Sequence, residues 1–185
     1  MKQDIRDPVS GEVFVDKPNA IHFENMSIAL AKSLAHRPDG HLHEMHFGNG
    51  GSNVNGIGVV SYLPPNIEGQ NSALYNRTFF KVIDDQSPLN TDPTRNFMEV
   101  RHSQNNLFSD ISIRATLDFN EPVGQEACDD STNSNGEFIF DEIGLKTFSS
   151  SPGTGLLVTH VIFNPVQKSL NRLMEVIYTL RISMV

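Results

Sequence analysis

At 185 residues the chain fits one domain, which argues against a multidomain enzyme. Its 14 Lys and Arg against 22 Asp and Glu give a net charge of −8, which repels a phosphate backbone and argues against nucleic-acid binding. One cysteine excludes an internal disulfide, and the absence of long apolar runs predicts a protein made in a cytoplasm without a membrane partner.

The N-terminal region divides into a polar segment and a helical pattern. Residues 1–19 are polar and interrupted by Pro and Gly, which predicts an extended arm that reaches a neighbouring subunit. In residues 21–36, Phe23, Met26, Leu30 and Leu34 recur at steps of three and four residues, and Pro-Asp-Gly follows. The sequence therefore predicts one N-terminal helix of about four turns.

From residue 41 onward the chain has short alternating runs separated by Gly, Asn, Asp and Pro. This pattern is typical of an antiparallel β-sandwich or a jelly roll. We predict a mainly β protein whose residues 20–185 form a single sandwich domain after the arm of residues 1–19. The predicted strands are residues 41–47, 57–62, 75–83, 97–102, 110–119, 137–140, 156–163 and 174–184.

The last predicted strand has consequences for assembly. It alternates apolar and polar residues up to Met184 and Val185, and we expect it to be a free edge of a sheet. Such an edge needs a covering partner, for which another copy of the chain is the natural choice. Head-to-tail interfaces that close into a ring suit this geometry.

The densest group of possible metal ligands is the run His41-Leu-His43-Glu-Met-His46. On a strand, His41 and His43 share a face and can present two imidazoles to a metal, whereas His46 faces the other way. The spacing differs from that of a helical zinc-protease motif. We therefore favour a surface strand, predict no metal or cofactor, and keep His41 and His43 as the candidate ligands.

Three further patterns receive structural interpretations. The Gly-rich residues 48–55 lack the Lys-Ser/Thr of a phosphate-binding loop, so they predict a turn between strands. Residues 131–142 match part of a calcium-loop template but start with Ser131 instead of Asp, which favours a plain hairpin. Cys128 has no activating sequence neighbours and no Gly-x-Ser-x-Gly motif occurs, so we predict that the chain is not an enzyme.

The run Asp141-Glu142-Ile-Gly144-Leu145 predicts a structural corner. Gly144 gives the backbone freedom that a bulge or bend requires. Glu142 is expected to accept backbone N–H groups left unpaired at the bend, so that an amide in its place is tolerated.

Three motifs together resemble proteins of tailed-bacteriophage virions, including tail-collar fibre domains and related small structural proteins. They are Met-His-Phe-Gly-Asn-Gly-Gly at residues 45–51, Phe-Asp-Glu-Ile-Gly-Leu at 140–145 and Glu-Val-Ile-Tyr-Thr-Leu-Arg-Ile at 175–182. The resemblance covers most of residues 21–185 and implies a subunit of the virion that binds other copies of itself and other virion proteins. Its place in the head, neck, collar, tail or baseplate stays open.

Two other functions compete with this interpretation. A carbohydrate- or receptor-binding module of a phage tail is compatible with a sandwich, but the chain has no Trp and would have to use Tyr62, Tyr75 or a Phe as its platform. A cupin-like metal-binding protein would use His41 and His43, but the sequence does not show the spaced Glu and third His that complete a cupin ligand set.

Overall fold

The computed structural model of the chain describes residues 2–122 and 137–184. These ranges contain one helix, α1 (Phe23–Leu34), and twelve strands. The strands are β1 (Lys2–Arg6), β2 (Val13–Lys17), β3 (Ala20–Ile21), β4 (Leu42–Gly48), β5 (Ser52–Val54), β6 (Val60–Tyr62), β7 (Arg77–Val82), β8 (Phe97–Arg101), β9 (Phe108–Leu117), β10 (Glu137–Thr147), β11 (Leu157–Ser169) and β12 (Met174–Ser183).

Two five-stranded antiparallel sheets form a sandwich. Sheet A has the order β2-β1-β12-β9-β8, sheet B has the order β3-β11-β10-β4-β7, and β5 and β6 form a separate hairpin. Buried apolar side chains from both sheets make one core, in which Ile113, Leu117 and Val176 come from sheet A and Phe47 and Leu145 from sheet B. The predicted mainly β, sandwich-like fold with an N-terminal helix is confirmed.

The strand predicted at residues 110–119 is present as β9, and its side chains alternate between the two faces of the sheet. Ile113, Ala115 and Leu117 point into the core, and Arg114 on the opposite face contacts Glu175 of β12 at 3.3 Å. Phe119, the last residue of the predicted strand 110–119, lies beyond the end of β9 and is exposed. The period-two pattern therefore gave the correct face for this strand.

The predicted N-terminal arm is wrong, because residues 2–6 and 13–17 are strands of sheet A. β1 pairs with β12, with Ile5 opposite Val176, and β2 continues the sheet beyond β1. Ile5 and Val15 are buried in the core. Two apolar side chains at inward positions are enough to attach this polar segment, since the backbone hydrogen bonds of a sheet do not depend on side-chain polarity.

The predicted free edge at the C-terminal strand is also wrong. β12 is the central strand of sheet A: it pairs along its length with β9 on one side, and its residues 175–179 pair with β1 on the other. Among the residues that the structure describes, the edges of sheet A are β2 and β8. The strands of sheet A that are open to edge-to-edge pairing are therefore β2 and β8 instead of β12.

Helix α1 packs one side against the sandwich and leaves the other exposed. His22 caps its N terminus, since the ring Nδ1 accepts a hydrogen bond from Asn25 N at 3.2 Å. Ala29 lies in the core, whereas Phe23 and Leu34 are 79% and 89% exposed. No helix in the described ranges is long and apolar enough to cross a membrane.

Candidate functional site

The two histidines singled out by the sequence come together with a carboxylate. His41 Nε2 lies 3.3 Å from Asp84 Oδ2, and His43 Nδ1 lies 3.2 Å from the same oxygen. The three potential ligand atoms lie within 4.8 Å of one another. We name these three residues the His–Asp cluster.

The strands around the cluster fix its two histidines. Gly40 passes so close to the end of α1 that a Cβ there would lie 2.4 Å from Ser33 N, so only glycine fits at the start of β4. The carbonyl of His41 accepts a hydrogen bond from Phe148 N, and that of His43 accepts one from Ile83 N, both at 2.9 Å. The backbone that carries both imidazoles is therefore tied to β10 and β7.

A single aromatic ring orients both imidazoles. Phe148 stacks on His41 with the ring centroids 5.3 Å apart and an interplanar angle of 16°. The same ring meets His43 edge-on, at 5.0 Å and 87°. Contacts of this kind restrict the rotamers of both histidines without using their ring nitrogens.

Asp84 is held from the side away from the histidines. Its Oδ1 accepts a hydrogen bond from Gln86 N at 3.0 Å, which leaves Oδ2 directed at the two imidazoles. The loop after Asp84 is anchored by Asn90, whose Nδ2 donates to the carbonyls of Asp84 and Asn96. The loop of residues 84–96, between β7 and β8, is thus built around the buried amides of Asn90 and Asn96.

The cluster is open on one side. The side chains of His43 and Asp84 are 2% and 13% exposed, while that of His41 is 44% exposed. Beside His41 lies an apolar groove of about 240 Å³ between α1 and sheet A, with Leu30 and Val100 among its lining residues. Two imidazoles and a carboxylate with one open side can bind a divalent metal and leave a position for a further ligand.

The other histidine of the run, His46, lies on the opposite face of β4, as predicted. It is buried, and its Nε2 lies 2.8 Å from Glu44 Oε2. Glu44 also accepts a hydrogen bond from Gly153 N. Burial removes water from the imidazolium and lowers the pKa of His46 to about 4, although Glu44 acts in the opposite direction.

Glu142 is the centre of a second buried network. Its Oε1 accepts hydrogen bonds from the amides of Gly50 (3.1 Å) and Asn76 (2.8 Å). Its Oε2 accepts from Tyr75 N and from His160 Nε2, both at 2.9 Å. Each carboxylate oxygen therefore accepts two hydrogen bonds. We name these residues the Glu142 cluster.

The electrostatics of Glu142 follow from these contacts. Burial acts to raise the pKa of Glu142, but the hydrogen bonds from His160 and from the amides of Asn76 and Tyr75 outweigh it, so the pKa lies below its ordinary value. His160 is oriented in turn, because Asn66 N donates to its Nδ1 at 2.8 Å. The cluster is closed and saturated with hydrogen bonds, as expected of a structural element.

Two motifs that carried the phage resemblance are adjacent in space. β4 pairs with β10 so that Phe47 lies opposite Ile143 and His46 opposite Gly144. Asp141 accepts hydrogen bonds from the amides of Gly51 (2.9 Å) and Ser52 (2.8 Å). The Gly-rich segment therefore offers its amides to carboxylates of β10, which explains why it need not bind phosphate.

The bulge or bend predicted around Glu142 corresponds to an irregularity in strand pairing and not to a corner that ends the strand. β10 continues through this region as one strand, with an irregularity in its pairing to β11 between Phe140 and Glu142. The amides that Glu142 accepts belong to distant loops, not to the bend itself. Gly144 is required by close packing, since a Cβ there would lie 2.6 Å from Leu157 Cδ1.

The remaining sequence candidates contribute little to a site. Cys128 and the first half of the calcium-loop match, residues 131–136, lie outside the described residues. The hydroxyl of Tyr62 hydrogen-bonds Asn164, and Lys17 Nζ lies 4.7 Å from the centre of the Tyr62 ring. Tyr75 donates its hydroxyl to the carbonyl of Pro64 at 2.8 Å. Both tyrosines are engaged within the chain, and glycan binding stays a prediction.

Comparisons with protein-family models, with curated proteins and with solved structures give no match.

Proposed function

We propose that the chain is a structural subunit of a tailed-phage virion that acts by assembling with copies of itself and with other virion proteins. The resemblance of its three motifs supports this proposal, and two of the motifs interlock in the pairing of β4 with β10. The observation that carries the assembly role is the exposed apolar surface around α1 and β8.

This surface is continuous with the groove beside His41. Leu30 of α1 and Val100 of β8 both line the groove, and Phe23 and Leu34 extend the exposed apolar stripe along the helix. Leu107 is also exposed and follows β8 in the chain. Exposed apolar groups that neighbour one another on a monomer are typical of surfaces that bind another protein.

The edge strand β8 favours a second copy as the partner. Within the described residues, β8 pairs only with β9, so its other side presents unpaired backbone groups. Antiparallel pairing of two copies about Val100 places Glu99 of each copy opposite Arg101 of the other. Cross-strand pairs of opposite charge stabilise such a ladder, which makes β8 self-complementary.

A charge swap on β8 tests the assembly. Native mass spectrometry should give an oligomer for the parent chain, and Glu99→Arg should dissociate it by placing like charges opposite each other. Adding Arg101→Glu in the same chain should restore the oligomer. Glu68→Arg, which changes an exposed carboxylate elsewhere, serves as the control. A monomeric parent chain, or a double variant that stays dissociated, contradicts pairing along β8.

The virion role has its own test. Tailed-phage particles made from the genome that encodes this chain, purified by density gradient, should contain its peptides in a fixed ratio to the other structural proteins. Recovery of the chain in the lysate but not in the particles would contradict the proposal.

A further inference from the structure

We propose that His41, His43 and Asp84 bind a divalent transition-metal ion of the Zn²⁺ class. Nε2 of His41, Nδ1 of His43 and Oδ2 of Asp84 are the three protein ligands, and the open side next to His41 leaves a position for water. The inference does not rest on the proposed virion function, because it concerns only the geometry of these side chains.

The distances distinguish the His–Asp cluster from the two other histidine–carboxylate contacts of the described residues. Where a histidine here hydrogen-bonds a buried carboxylate, the separation is 2.8 Å for His46–Glu44 and 2.9 Å for His160–Glu142. Such short distances are typical of charge-assisted hydrogen bonds. In the His–Asp cluster, one carboxylate oxygen faces two ring nitrogens at 3.2 and 3.3 Å. These separations lie at the long end of the range for an N–H···O hydrogen bond or just beyond it.

The same separations fit ligands that share a metal. Zinc binds imidazole nitrogen and carboxylate oxygen at about 2.1 Å, which puts neighbouring ligands of a tetrahedral site about 3.4 Å apart. Nitrogen and oxygen donors without a thiolate suit Zn²⁺ and the other imidazole-binding divalent metals better than Ca²⁺ or Mg²⁺.

The surroundings also resemble those of a metal site. Gln86 N holds the far oxygen of Asp84, in the way that outer hydrogen bonds orient ligating carboxylates. Phe148 packs against both imidazoles and leaves their ring nitrogens unhindered. A bound metal would join the start of β4 to the loop after β7, which is a reason to expect that it stabilises the fold.

Isothermal titration of tag-free, metal-stripped protein with Zn²⁺ tests the proposal. The parent chain should bind one Zn²⁺ with a micromolar or lower Kd, and excess Zn²⁺ should raise its Tm by several degrees. His41→Gln and Asp84→Asn should each weaken binding at least tenfold and remove the Tm increase. His36→Asn removes an exposed imidazole outside the cluster, tolerates the positive φ of that residue, and should change Kd less than twofold.

The half-exposed ring of His41 makes His41→Gln the deciding variant if Asp84→Asn does not fold. Circular dichroism should show that the His41 variant keeps the parent fold. Binding that does not saturate in the parent chain would overturn the proposal. Equal Zn²⁺ affinity in the parent and His41→Gln, or equal loss in His36→Asn, would overturn it as well.

Discussion

The His–Asp cluster and the Glu142 cluster use the same residue types and differ in how their polar atoms are satisfied. Glu142 accepts four hydrogen bonds, from His160 and three backbone amides, and is fully buried. Asp84 turns one oxygen toward two imidazoles at longer distances, and one of these imidazoles is half exposed. A buried carboxylate whose oxygens are all used stabilises the fold, whereas one that faces widely spaced nitrogens is available for a ligand.

The largest loss of stability is expected when the Glu142 cluster loses its carboxylate. Glu142→Ala orphans four donors and leaves a cavity, so it should lower the free energy of unfolding by about 3–5 kcal/mol. Denaturant titration measures the change. Glu68→Ala, at an exposed carboxylate away from β8, should cost less than about 0.5 kcal/mol. Equal costs for the two variants would show that the hydrogen bonds to Glu142 do not stabilise the fold.

Acid should destabilise the buried His46–Glu44 pair before it affects exposed groups. The pKa of His46 is about 4 in the folded chain and about 6.5 in the unfolded chain, so the unfolded state binds the proton first. Its contribution to stability should fall between pH 6.5 and pH 4, on the order of 3 kcal/mol in total. His46→Gln should flatten the pH dependence in this window, whereas His36→Asn should leave it unchanged. An identical slope in both variants and the parent would contradict this assignment.

A smaller loss of stability is expected for Glu142→Gln, which keeps the shape of the side chain but replaces one carboxylate oxygen with an NH₂ group. From the sequence, Glu142→Gln was expected to be tolerated. In the structure each oxygen already accepts two donors, so either orientation of the amide directs N–H groups at N–H groups. We therefore expect a cost of about 2 kcal/mol. A denaturation midpoint within error of the parent would restore the original expectation.

The smallest change in stability is expected when the His–Asp cluster is altered in the absence of metal. Asp84→Asn removes a charge that lies 3.2 and 3.3 Å from two imidazoles, yet an amide oxygen can still accept from Gln86 N. Its cost in metal-free buffer should stay below about 1 kcal/mol. A loss of stability comparable to that of Glu142→Ala would mean that the His–Asp cluster stabilises the fold as much as the Glu142 cluster does.

Sequence patterns gave the sandwich, the helix and the inward faces of β9 and β12, because apolar alternation marks a half-buried strand directly. They failed for β1, where the buried Gln3 occupies a position at which an apolar residue would have marked the inward face. They also gave only four of the residues of β10 (Glu137–Thr147). The inward side chains pass from Phe140 to Ile143 and Leu145 across the irregularity in pairing, so the strict alternation breaks between them.

Only part of the candidate site could be predicted from the sequence. His41 directly precedes β4 and His43 lies within it, so the period of the predicted strand 41–47 was enough to bring the two together. Asp84 is 41 residues further along the chain than His43, and its position depends on the pairing of β4 with β7. No local pattern encodes which strands pair. Phe148, the ring that orients both histidines, was unrecognisable as part of the site for the same reason.

The central position of β12 dictates when sheet A can form. β1 pairs with β12 through contacts such as Lys2 with Thr179, which join nearly opposite ends of the chain. During synthesis, the first strand therefore waits for the last one, and the inward side chains of β1 and β2 have no complete sheet to join until then. Closing so long a loop is costly in chain entropy and slows folding. Until β12 has been made, β1 thus has no neighbour in sheet A other than β2.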